Sequence, residues 1–227
     1  MTGFIDRARA AGLAVVVAGL LAGCTVNPDD VVPQRYVEAT TVTPEAAEFV
    51  GEDRARAAAE AAIEFTLAHG TDPALIDPQK GDYSAAELTD GVVDAMTPEL
   101  ATVWRGLVAD ALTGDAHAAN SLDGLQLHSL QEPTWHRPDT GDFITSQQVT
   151  DIEVAPAESR DGSVPAAQTV LVTLQHRTFA HVDTDKNPVD VIITRDMTYW
   201  MTPDPQDRWL ISSYEGPFTV RSHAVLR

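Results

Sequence analysis

Two hydrophobic periods divide the chain. Between Pro44 and Leu112 apolar residues recur at helical spacing, and after Asp142 they alternate. The first helical stretch covers 44–69. Thr43 stands at its cap, Pro44 in its first turn, and Glu45 and Glu48 complement the helix dipole. Ala58, Ala61, Ala62 and Phe65 share one face, and such small side chains let a helix lie close to a sheet; Gly70 ends the stretch. A loop with Pro73, Pro78 and Gly81 follows. Ser84 and Glu87 form the S-x-x-E capping box of a second helix, with Leu88, Val92 and Met96 inward. Thr97-Pro98-Glu99 opens a third helix, whose stripe is Leu100, Val103, Trp104, Leu107, Val108, Ala111 and Leu112, and Gly114 stops it. Residues 115–141 hold no sustained period. They are expected to be irregular, with a short strand near 125–135.

The alternating half predicts strands over 143–155, 167–182, 189–202 and 207–220, punctuated by Gly162, Pro188 and the 202–207 turn. Helices followed by long antiparallel strands define an α+β fold, with N-terminal helices packed on a curved antiparallel sheet. One hairpin register is testable. If Val182 lies opposite Val189, His176 faces Arg195 on the apolar side of both strands, and Tyr199 shares that side. A buried charge without partners is costly. His176, Arg195 and Tyr199 are therefore the candidate lining of a pocket for an anionic or carbonyl-bearing ligand. Two plainer readings stand beside it: an internal polar network in which Glu60 or Glu64 holds Arg195, and a wet, open end of the fold. Trp104 and Trp209 fall on core positions, whereas Trp200 shares the opposite sheet face with Ile192. On that face Arg177 and Asp196 are expected as a diagonal surface ion pair.

Composition changes the picture at the front end. Met1–Arg9 carries Arg7 and Arg9 against Asp6, and Ala10–Leu21 is apolar but shorter than the ~20 residues a membrane span takes. Leu21-Ala22-Gly23-Cys24 contains the only cysteine of the 227 residues, so no disulfide can form within the chain. The tetrapeptide resembles the lipobox of bacterial lipoproteins. That resemblance implies cleavage before Cys24, acylation of its thiol, and retention at the outer face of the cell membrane by acyl chains. A plain secretory signal with an incidental cysteine is the alternative. The expected division is a signal peptide over 1–23, a lipid-anchored tether over 24–43, with a weak strand around 35–40, and a single domain over 44–227. The formal net charge is −19, and loss of the leader makes it one unit more negative. Such a surface repels nucleic acid. The alanine- and aspartate-rich, lysine-poor style resembles exported actinobacterial proteins.

A second resemblance rests on three stretches: the alanine-rich helix over 45–69, "MTPELATVW" at 96–104, and "DRWLISSYEGPF" at 207–218. Together they resemble the nuclear transport factor 2-like superfamily, over roughly 45–220. It implies a cone-shaped domain, a cavity between sheet and helices, and association through the sheet as a homodimer. Members that are isomerases or cyclases use an acid–base pair in the cone. Here His176, with Tyr199 or Arg195, is the nearest match, and no inward aspartate accompanies it. No catalytic residue, cofactor or metal is therefore assigned. Asp183, Asp185 and Asn187 have the spacing that opens a calcium loop, but Pro188 stands where that loop needs glycine and Thr194 where it needs glutamate. The functional expectation is a non-catalytic accessory or binding module in the cell envelope, for a protein partner or a small anionic ligand. The alternative is a small-molecule isomerase or cyclase.

Overall fold

The computed structural model describes residues 34–127, 134–139, 141–157 and 168–224, which belong to one compact unit, Val32–Arg227. The leader, Cys24 and His128 lie outside the described residues. The fold is α+β; the described residues form five α-helices and an eight-stranded mixed sheet that does not close on itself.

The described residues begin within the stretch expected as a tether. Strands β1 (Gln34–Val37) and β2 (Thr41–Val42) both run parallel to β4 (Ile144–Pro156), with Tyr36 opposite Gln148 and Val42 opposite Val154. The first helical stretch is two helices. In α1 (Pro44–Val50) the Ala46 amide donates to Thr43 Oγ1 at 3.1 Å; Gly51, at φ +90°, separates it from α2 (Glu52–Phe65). A left-handed φ there favours glycine over any side chain. The buried face of α2 is Ala55, Ala58, Ala59, Ala62 and Phe65. The helix runs on into a π turn over Thr66–Gly70, where Thr66 Oγ1 donates to Ala62 O at 2.8 Å.

The other two predicted caps are present as well. Ser84 and Glu87 complete the capping box of α3 (Ala85–Thr89), and Leu88, Val92 and Met96 are buried; Thr97 caps α4 (Pro98–Leu112). The α4 stripe is narrower than the pattern suggests: Ala101, Trp104 and Val108 are buried, while Val103 and Leu112 are exposed. Helix α5 (Ala116–Asp123) occupies part of the stretch expected to be irregular, capped by Asp115, whose carboxylate accepts from the amides of His117 and Ala118. After it comes β3 (Trp135–His136), paired with the end of β5 (Val170–Thr184).

The body of the sheet is β4, β5 (Val170–Thr184), β6 (Val189–Pro203) and a last row made of β7 (Trp209–Glu215) and β8 (Phe218–Ala224). The last strand was expected to be continuous. It breaks at Gly216-Pro217, where the Pro217 carbonyl still accepts from Asp196 N, and keeps its register: Thr198 faces Glu215 and Arg195 faces Phe218. Proline lacks the N–H that a ladder needs. The hairpin register holds as expected, with Val182 opposite Val189 and His176 opposite Arg195. On the other face Asp196 sits directly opposite Gln175 and accepts from its Nε2 at 2.9 Å.

Candidate functional site

The core has two apolar clusters. The larger one joins the buried faces of α2 and α4 to Val149, Val154, Val172, Leu174, Met197 and Tyr199. The smaller one gathers Ile76, Leu127, Phe143, Ile144, Ala180, Val182, Val191 and Ile193. Between them a polar belt crosses three strands: Gln147 on β4, His176 and Thr178 on β5, and Arg195 on β6, all buried. The strand alternation that fills both clusters carries these residues inward at the same level.

Arg195 gives both terminal nitrogens to backbone, while its buried Nε has no hydrogen-bond partner among the described residues. Its Nη1 donates to Gly70 O at 2.6 Å and to Leu125 O at 2.9 Å, and its Nη2 donates to Asp123 O at 2.9 Å. Gly70 closes the π turn and Asp123 closes α5. The guanidinium therefore caps the carbonyl ends of two helical segments, where a cation is favoured. These three carbonyls, rather than Glu60 or Glu64, hold it. Burial lowers its pKa, opposed by Tyr199, Asp123 and Tyr214, but an arginine begins high enough to stay charged.

His176 lies against this brace. Its Nε2 is 2.9 Å from Gln147 Oε1, with Thr178 Oγ1 at 3.4 Å, and Thr178 is in turn 2.7 Å from Thr71 Oγ1. A neutral imidazole donating from Nε2 leaves Nδ1 as a bare acceptor, and the buried Nδ1 has no hydrogen-bond partner. It abuts Gly70, where an added Cβ would lie 3.2 Å from Nδ1 and 3.5 Å from Arg195 Nη1. Burial, reinforced by the Arg195 charge, lowers the His176 pKa to about 3. Tyr199 is also buried; with Thr66 Oγ1 donating to Ala62 O, its hydroxyl donates to Thr66 Oγ1 at 2.8 Å. Burial raises the Tyr199 pKa.

A pH effect follows. The unfolded imidazole binds a proton near 6.5, whereas the folded one stays neutral until about 3. Between those values the unfolded state holds more protons, so stability falls as pH falls through the window, by up to ~1.4 kcal/mol per pH unit for one group. Chemical denaturation of the wild type and His176→Gln across this range should show the variant with the shallower acid loss. Parallel curves would mean that His176 titrates normally in the fold.

The three predicted site residues thus come together, but none lines either of two surface cavities. One, of about 520 Å³, is walled by Tyr83, Leu112, Ala119, Leu122 and Phe218. The other, of about 350 Å³, is walled by Phe65, Met201 and Trp209, with Glu64, His69 and Asp94 also lining it. His69 packs on the Phe65 ring at 5.1 Å, and burial lowers its pKa against the opposing pull of Asp72. Sequence reasoning missed Gln147, Gly70 and His69 as members of these sites. The calcium-like loop is organised by Thr184, whose hydroxyl accepts from Lys186 N and Asn187 N and donates to Asn187 O. Among the described residues no group of three or more His, Cys, Asp or Glu side chains is arranged to hold a metal.

No protein-family model matches the chain, and no curated protein or solved structure matches it significantly.

Proposed function

We propose that this chain is an exported protein held at the outer face of the cell membrane by acyl chains on Cys24, and that its folded domain is a non-catalytic binding module for an envelope protein. The observation that carries the binding reading is the internal use of the polar belt. Three Arg195 N–H groups are given to backbone carbonyls, and His176 stays uncharged until about pH 3. Neither is presented to a solute, so recognition falls to the outer surface. The lipobox-like Leu21-Ala22-Gly23-Cys24 supports the anchor. Among the described residues no helix is long and apolar enough to cross a membrane.

Helices before a run of long antiparallel strands support a nuclear transport factor 2-like domain, its helices packed on a curved sheet. The cross-strand pairs Leu171–Trp200 and Phe179–Ile192 on the opposite sheet face support association of two copies there. In the rival isomerase or cyclase reading, the histidine that lines a cavity is His69, beside Glu64 and Asp94, rather than His176.

Cell fractionation tests the anchor. Wild type is expected in the membrane fraction and Cys24→Ser in the soluble fraction. Unchanged membrane retention of the serine variant would sink the proposal.

A further inference from the structure

Strand β8 leaves both of its faces open. Phe218 and Val220 lie opposite Arg195 and Ile193, and so share the face that is buried in β6, yet they are 40% and 38% exposed. Every residue from Phe218 to His223 is exposed. Strand β8 pairs with β6 on one side, and among the described residues no strand pairs with its other side. An open edge of this kind is a template for another strand. Phe218 also forms one wall of the 520 Å³ cavity, with Leu112 and Leu122.

Charge selects the occupant. The chain has 34 acidic residues against 15 basic ones, yet the stretch from Phe218 to Arg227 contains Arg221, His223 and Arg227 and no acidic residue. On β8, Thr219, Arg221 and His223 alternate with Phe218, Val220 and Ser222. The other edge, β1, is four residues long and is followed by Glu38. A second copy paired about Arg221 would set that residue against itself across the new edge.

We propose that the open edge of β8 takes up an extended segment of a partner protein as an added strand. The segment alternates apolar residues, one entering the cavity beside Phe218, with acidic residues facing Arg221 and His223. Backbone pairing supplies the attachment, and the alternation supplies the selectivity. This inference rests on the binding-module reading and names the chemistry of its partner.

The test uses the full chain in mild detergent and two eight-residue peptides, one alternating valine with glutamate and the other valine with lysine. Amide hydrogen exchange and a binding titration are read for the wild type and for Arg221→Glu, which alters an exposed side chain. The glutamate peptide is expected to bind the wild type and protect the β8 amides. It should weaken by about tenfold in Arg221→Glu, with preference moving toward the lysine peptide. Equal binding of both peptides, protection away from β8, or no binding at all would overturn the proposal. So would self-association through β8 that Arg221→Glu changes, since the occupant would then be a second copy. In cells, a photo-crosslinker at Tyr36, on the opposite edge, separates the two claims. If β8 is silent while that position joins an envelope protein, the module reading survives and the edge assignment alone fails.

Discussion

Arg195→Leu is expected to lower stability by about 3–5 kcal/mol, a fall of roughly 6–20 °C in Tm for a domain of this size. The leucine is apolar and fits a core, so the loss does not come from poor burial. It comes from three carbonyls, on Gly70, Asp123 and Leu125, that lose the guanidinium, although the Gly70 carbonyl keeps the Leu127 amide at 3.2 Å. Two helical segments lose their tie to β6 together. Arg195→Lys should fall between the two, because an ammonium keeps the charge but cannot hold all three carbonyls in the same fork. Thermal and denaturant unfolding of the three proteins checks the order. A leucine variant as stable as wild type would show that the guanidinium is not a brace, and would return it to the role of ligand group.

Gly216→Ala should cost at least about 3 kcal/mol. A Cβ at this position would run into the carbonyl oxygen of Gly124 and the sulfur of Met197. The methionine can move; the carbonyl cannot easily do so. Gly124 sits between Asp123 and Leu125, whose own carbonyls are fixed by Arg195. The same brace that secures α5 thus removes the slack an alanine would need. Met197→Ala in the Gly216→Ala background is expected to recover only a minor part of the loss, measured as the midpoint of denaturant unfolding. Full recovery would mean that the close approach involves the side chain alone.

The features legible in the sequence are those encoded by nearby residues. The β5–β6 register follows from strict alternation around a short turn, so the pairing of His176 with Arg195 could be read directly. Ser84 and Thr97 announce their helices through local capping chemistry. Arg195's partners could not be read. Backbone carbonyls carry no side-chain signature, so the reading of an internal polar network named Glu60 or Glu64 instead. Gln147 was hidden for another reason. Strand β4 shifts register between Ile144 and Ser146 and between Thr150 and Glu153, with Asp151 at φ +53°, so simple alternation misassigns its inward face. The parallel pairing of β1 and β2 is a long-range event in strands of four and two residues, too short to show a period. Helix α5, eight residues with buried Ala118 and Leu122, offers too few apolar positions to stand out.

The most direct measurement is the mass of the N-terminal peptide from the protein purified out of the membrane fraction. The account predicts a peptide that begins at Cys24 and carries the added mass of two or three acyl chains. A peptide beginning elsewhere, or one that begins at Cys24 with an unmodified thiol, would contradict it.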